Sequence, residues 1–208
     1  MLLCGNTLWQ IVPQCILMNV RSEGRIAEEI MSTIIFTKLS EENLHTDSLD
    51  EFVRHQEVKE CWRKIGNEFR LVSNEFVEDW DAEKCREIAQ TMVDGIKENG
   101  FAYGAFFENK LVGYIYVSKK LFGSANQYIE LQLFHISELF RRKGLGKELF
   151  RLACGEAKML GAKKIYISAH SSKESQEAYH RLGCVEAQEL NMEIAQNEPF
   201  DIQMEYQL

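Results

Sequence analysis

Apolar positions along this chain change period several times, and each change predicts an element. "STIIFTKL" (32–39) alternates enough for a first strand. In "TDSLDEFVRHQEVKECWRKIG" (46–66), Leu49, Phe52, Val53, Cys61, Trp62 and Ile65 recur at roughly helical spacing and predict a helix. "NEFRLVSNEFVEDW" (67–80) is aromatic and acidic, has no clean period, and reads as a connection. A clearer helix follows at 81–100. Asp81 is placed to cap it, Cys85, Ile88, Ala89, Met92, Val93 and Ile96 form one stripe, and Gly100 is placed to end it.

"FAYGAFF" and "LVGYIYV" are strands joined by Glu108-Asn109-Lys110, a connection short and polar enough for a hairpin. "YIELQLFHIS" is a fourth strand. Leu145, Leu149, Leu152, Ala153 and Leu160 then form a helical stripe that Gly161 stops. "KKIYISA" is a fifth strand, and "SSKESQEAYHRLG" a short helix with Ser171 and Glu174 at capping-box spacing and Gly183 at its end. "CVEAQEL" and "FDIQMEYQL" close the chain as strands. The order β, α, α, β, β, β, α, β, α, β, β predicts an α/β (α+β) mixed sheet with helices on its faces.

The first thirty residues differ. They are apolar, carry no Lys or Arg before Arg21, and are interrupted by Pro13. That pattern fits neither a secretory signal nor a membrane span. Ala27-Glu28-Glu29-Ile30-Met31 has another reading, because Glu-Glu codons can spell a purine-rich ribosome-binding site ahead of a start codon. Residues 1–30 are therefore an extension, read as translated leader or as a real arm, and residues 31–208 are the domain. N-terminal sequencing of the protein made from its own promoter distinguishes the two readings.

Charge and cysteine content narrow the function. The 208 residues carry a net charge of −8, which argues against general nucleic-acid binding and reads either as suiting a cationic partner such as an amine or as ordinary acidic solubility. None of the six cysteines forms a C-x-x-C pair, so reduced thiols in a cytoplasmic protein are expected. The five histidines show no metal-ligand spacing, and no metal is expected.

Against that acidic background, "LFRRKGLGKELF" (139–150) gathers Arg141, Arg142, Lys143 and Lys147 around Gly144 and Gly146. It lies between a predicted strand and a predicted helix. Glycine permits the turn and lets backbone approach a ligand, while the first N–H groups of the helix have no partner inside it and favour an anion. A pyrophosphate fits such a place, and the bland alternative is a basic, solvated helix start with a glycine turn. The spacing is neither a Walker loop, since Glu148 follows Lys147, nor a dinucleotide fingerprint, since Leu149 stands at the third glycine.

Arg141 to Gly146 match [RQ]-x-x-G-x-[GA], and Ala178-Tyr179-His180-Arg181-Leu182-Gly183-Cys184 matches a tyrosine stretch after the fifth strand. With this element order, the chain from about Ser32 to Leu208 resembles the GNAT superfamily of acyl-CoA-dependent N-acetyltransferases. It departs from the pattern at Arg142, often glycine, and at Ser172, often asparagine. The resemblance implies a largely antiparallel sheet of about seven strands, helices on both faces, and a splay between "YIELQLFHIS" and "KKIYISA". It implies acetyl-CoA as cosubstrate. The pyrophosphate would lie on the N–H groups from Arg142 to Lys147, Leu145 included, with the pantetheine along Phe134, His135 and Ile136 and a contact at Ser172. One N–H near His135 or Ile136 would polarise the thioester carbonyl.

A primary amine would attack that thioester directly. Tyr179 is the candidate acid for the departing thiolate, with a core position as its bland alternative. Glu130 is the candidate base, weighed against a surface charge. His135 and His170 are further bases, weighed against core and loop roles. Glu75, Glu78 and Asp79, with Phe76 and Trp80, would either line an acceptor pocket or form a solvated loop. The acceptor is a small-molecule or protein amine, with no nucleic acid or membrane as partner, and the resemblance allows a homodimer. The rival reading is an acyl-CoA-binding sensor without turnover.

Overall fold

The computed structural model describes residue 31 and residues 33–208. The leader or arm at 1–30 lies outside the described residues. The chain divides into two units, and the fold below is that of the larger, Ile35–Leu208.

Strands β1 (Ile35–Lys38), β2 (His55–Ile65), β3 (Glu68–Asp79), β4 (Phe101–Phe107), β5 (Lys110–Phe122), β6 (Tyr128–Ile136), β7 (Lys164–Ala169), β8 (Val185–Glu186) and β9 (Ile202–Gln207) form two sheets. The larger has seven strands in the order β1-β4-β5-β6-β7-β9-β8. Every neighbouring pair in it is antiparallel except β6–β7. The smaller is an antiparallel arm of β2 and β3. The helices α1 (Ala82–Lys97), α2 (Leu145–Met159), α3 (Lys173–Leu182) and α4 (Met192–Asn197) accompany them in this unit.

Local chemistry accounts for most of these elements. Glu108 and Asn109 both take positive φ, 49° and 64°, as a tight hairpin between β4 and β5 requires. β4 and β5 are covered on both faces, so their buried positions run almost without a break. The Asp81 carboxylate caps α1 by accepting the Lys84 N–H at 2.8 Å. The buried stripe Cys85, Ala89 and Met92 then packs with Leu39, Leu44, Leu49, Phe52, Tyr114 and Tyr116. α2 covers the opposite face through Leu145, Leu149, Phe150, Ala153 and Ala157. Side chains alternate along β6 accordingly: Phe134 meets Phe150 of α2, and His135 meets Tyr114 on the α1 face.

Several expectations are corrected. The helix expected within 46–66 is a loop of turns followed by β2. The β2–β3 ladder is irregular between Val58 and Glu60, and the buried β2 side chains Val58 and Cys61 fall three apart, a spacing a helix also produces. The connection at 67–80 is β3, whose side chains are mostly exposed and so show no period. Asn99, at φ 70°, makes the left-handed turn after α1 rather than Gly100. Ser172, not Ser171, caps α3, accepting the Ser175 N–H at 3.3 Å. "CVEAQEL" pairs only at Val185 and Glu186, and α4 was not foreseen.

Two features position a site. Parallel pairing of β6 with β7 runs from Tyr128↔Lys164 to Leu131↔Ile167 and stops there. At the same point β6 slips by one residue against β5, from Val117↔Leu131 to Tyr116↔Leu133, so Gln132 is bulged. β6 beyond the bulge stays with β5, and Ser168 and Ala169 of β7 stay with β9.

The β2–β3 arm is tied to both lips of the resulting gap. After β6, the Glu138 N–H donates to the Val53 carbonyl at 3.0 Å, and the Val53 N–H donates to Ser137 Oγ at 3.1 Å. After β7, the Trp62 N–H donates to the Ser171 carbonyl at 2.8 Å, and Lys173 pairs with Glu60 at 2.8 Å.

Gly95 tests the α1 face. A Cβ there would overlap the Tyr116 ring. Alanine normally favours a helix by about 1 kcal/mol over glycine. Gly95→Ala is nevertheless expected to cost about 1–3 kcal/mol in urea unfolding, and adding Tyr116→Leu should recover most of it. A more stable single variant would contradict this packing.

Candidate active site

The gap leaves residues 132–136 of β6 without a partner strand on the β7 side. The chain then passes through a short 3-10 turn, Glu138–Phe140, and enters the glycine loop. Arg142 (φ 61°) and Gly144 (φ 94°) both adopt left-handed backbone, and Gly144 caps α2. The N–H groups from Arg142 to Lys147 have no acceptor among the described residues, and the first helical bond is Glu148 N–H to the Gly144 carbonyl. These donors lie at the positive end of α2, which suits an anion. Arg142 and Lys147 are exposed and without ion-pair partners among the described residues. Gly146 lies beside Phe134, where a Cβ would sit 3.4 Å from the ring, so loop and gap are contiguous. The donors present therefore fit a diphosphate whose attached chain enters the gap.

Not every expected side chain faces that loop. Arg141 turns back, donating from Nε to the Ile136 carbonyl at 3.0 Å and from Nη1 to the His55 carbonyl at 2.6 Å. It braces β6 against the arm. Lys143 donates to the Leu139 carbonyl. The Leu145 side chain is buried, so only its N–H is available. Ser172 is fully buried, and its hydroxyl is occupied with Ser175 and Gln56.

Tyr179 stands on the Phe134 face, its ring 6.3 Å from that of Phe134. Its hydroxyl has no hydrogen-bond partner among the described residues. Burial pushes the phenol well above its ordinary range, with Cys184 and Asp201 adding to the rise. A phenol is protonated at neutral pH in any case, so Tyr179 can only donate there, and the rise makes it a weaker acid than a free phenol. Glu130 lies on β6 just before the gap, where Gln132 Nε2 donates to its carboxylate at 3.0 Å. Burial raises its pKa, Gln132 opposes the rise, and Glu198 and Glu193 add to it.

The opposite face holds a polar and aromatic cluster. Trp80 lies 4.7 Å from His135, and His135 lies 5.6 Å from Tyr114. The Arg54 guanidinium sits 5.7 Å from the Trp80 ring and pairs with Glu78 at 2.5 Å. Asp79 is paired with His55 at 2.6 Å. Two of the three carboxylates read as an acceptor lining are thus already matched, and Glu75 is exposed. Burial, with Arg54 and Arg141, pushes His135 down to about 3, so it stays neutral and is too weak a base. His170 is lowered by burial, with Glu78 opposing, and its Nδ1 accepts the Ser172 N–H at 3.2 Å. That bond leaves Nε2 as a donor, not a base.

Asp201, immediately before β9, escaped the sequence reading. Burial raises it to about 6, Glu198 and Glu78 adding to the rise and Arg63 opposing. A carboxylate so tuned can accept a proton near neutral pH. Nothing in "FDIQMEYQL" marks it, because its environment comes from α4 and the arm.

A split sheet, a loop of unpaired backbone donors at the mouth of the split and a tyrosine beside it suit acyl transfer. The sequence matches the profile described as "Acetyltransferase (GNAT) family" over residues 62–184, more than half of the chain, and the protein belongs to that family. A comparison with curated protein sequences finds no significant match.

Solved structures share the fold. Nourseothricin acetyltransferase superposes with a TM-score of 0.63 at 13% identity, covering 84% of this chain and 98% of that one. A Bacillus anthracis protein assigned as a streptothricin acetyltransferase, solved with acetyl coenzyme A, gives 0.62 at 16% identity over 84% and 98%. A GNAT-family acetyltransferase from Staphylococcus aureus gives 0.56 at 15% identity over 84% and 99%. Among the described residues, no cluster of His, Cys, Asp and Glu could hold a metal, and no helix is long and apolar enough to cross a membrane.

Two variants probe this geometry. Arg142→Gly relieves left-handed backbone and is expected to stabilise the fold by about 0.5–1 kcal/mol while weakening diphosphate affinity. Unchanged stability would show that Arg142 is unstrained. Asp201 has a folded pKa above its ordinary 3.8, so its contribution is present below that value and lost as pH rises through about 6. Asp201→Asn should therefore raise stability by about 1–3 kcal/mol at pH 7.5 and leave it unchanged below pH 4 in thermal unfolding. A less stable variant at pH 7.5 would contradict the assigned environment.

Proposed function

We propose that this enzyme transfers the acetyl group of acetyl-CoA to a primary amine by direct attack on the thioester. The observation that carries the reading is the run of unpaired N–H groups from Arg142 to Lys147 leading into the unpaired backbone of residues 132–136. Those donors suit the diphosphate. The β6 backbone suits the amides of the pantetheine, which would add to the sheet edge as a strand does. A backbone N–H near His135 or Ile136 would meet the thioester oxygen as negative charge develops there. The complex of the B. anthracis neighbour with acetyl coenzyme A supports the same ligand for this fold.

Within that frame, Tyr179 gives its proton to the departing sulfur, and Glu130 or Asp201 takes one from the attacking amine through water. A lysine-like ammonium has a pKa of about 10.4, so most of it must lose a proton before it can attack. The acceptor panel for testing includes a streptothricin, a polyamine, amino acids and peptide amines.

Free-thiol release from acetyl-CoA in the presence of this panel tests the reading. Turnover with at least one amine is expected. Coenzyme A binding without transfer to any acceptor would oppose it and favour a sensing role. Tyr179→Phe is expected to lower kcat by about 100-fold or more while leaving coenzyme A affinity within about twofold. Unchanged kcat would remove Tyr179 from proton transfer.

A further inference from the structure

Five buried side-chain polar atoms lack a hydrogen-bond partner among the described residues, and four of them belong to one cluster. They are Arg54 Nε and Nη1, Arg141 Nη2 and the Tyr114 hydroxyl. Arg54 is 8% exposed and Tyr114 fully buried. All four can donate a hydrogen bond, and a buried donor left without a partner is destabilising. The rings of Trp80, His135 and Tyr114 join them into one neighbourhood. The cluster holds two guanidinium groups, and the Glu78 carboxylate pairs with only one nitrogen of Arg54. Its complement is an oxygen-rich anion, the partner a guanidinium fork binds best.

We propose that the acceptor is an amine that also carries a carboxylate, of the amino-acid class, and that Arg54, Arg141 and Tyr114 receive that carboxylate beside His135. The inference rests on the acetyl-transfer reading above. His135 adjoins Phe134 on β6 but points to the opposite face, away from Tyr179. A carboxylate held there brings a nitrogen a few bonds away to the acceptor side of the gap. Burial first, and then the charges of Arg54 and Arg141, keep His135 neutral, and the same surroundings favour the neutral form of a nearby amine, which is the form that attacks. The arm then acts as more than a strap, because it contributes Arg54 next to β2 and fixes Arg141 through the His55 carbonyl.

The test uses the full chain saturated with coenzyme A, so that the glycine loop is occupied. Calorimetry follows the binding of acetate, propionate and 3-phenylpropionate, each beside its neutral amide. At least one carboxylate is expected to bind about tenfold or more tightly than its amide. Arg54→Gln should abolish that difference. Arg54→Lys and Tyr114→Phe, which keep the charge or the packing, should reduce it severalfold in a folded protein and so decide the matter should Arg54→Gln fail to fold. Equal binding of acid and amide, no binding of either, or no effect of these variants would overturn the proposal and leave the four donors to water.

Turnover of L-phenylalanine against phenethylamine, and of L-lysine against cadaverine, supplies the second readout. Preference for the carboxylated partner supports the site, and preference for the decarboxylated one overturns it. Selective carboxylate binding with no acetylation of any amine would keep the site and count against acetyl transfer.

Discussion

Four residue pairs of parallel ladder between β6 and β7, and no more, are the constraint on which this molecule depends. Had the pairing continued past Leu131 and Ile167, the sheet would be closed and its backbone groups spent on each other. Instead the bulge at Gln132 turns β6 aside with β5, and β9 holds the end of β7. An unpaired stretch of strand in mid-sheet is a liability unless something covers it. The β2–β3 arm bridges the two lips, and the remaining opening has the chemistry of a strand edge awaiting a ligand's amides. The arm's attachments therefore belong to the site as much as to the fold.

Charge is distributed to match. The chain is acidic overall, yet cations concentrate at two places with different tasks. At the glycine loop, Arg142 and Lys147 are solvated and flank unpaired backbone donors, which suits the diphosphate proposed to bind there. Around His135, the buried Arg54 and half-buried Arg141 are partly unmatched, and burial together with their charges keeps the imidazole neutral. Arg141 links the two places. Its backbone opens the loop, and its side chain fastens the end of β6 to the arm. Tyr179, the proposed proton donor, lies on the other face with its phenol pKa raised by burial, so the sheet stands between it and the cationic cluster.

How much of this was legible in the sequence follows from where each signal originates. Signals from local chemistry were readable: the caps at Asp81 and Gly183, the Glu108–Asn109 hairpin, the stripes of α1 and α2, and the glycine loop with its downstream tyrosine. Signals that depend on distant partners were not. β2 looked helical because the irregular ladder spaced Val58 and Cys61 by three, and β3 looked like a loop because its side chains are largely exposed. Arg141 was read as a ligand contact because its motif position cannot reveal that the His55 carbonyl, 86 residues earlier, claims its guanidinium. Asp201 carried no motif, and its raised pKa comes first from burial and then from Glu198 and Glu78, against the opposing Arg63, a setting that only folding assembles.

The most direct check is amide chemical-shift mapping by NMR as the 15N-labelled protein is titrated with coenzyme A. The account predicts that the largest changes fall on two runs, 142–147 in the loop and 133–136 on β6, saturating together at one affinity. Changes confined to other surfaces, or movement in the loop with no response along β6, would contradict the claim that one ligand spans the loop and the open strand.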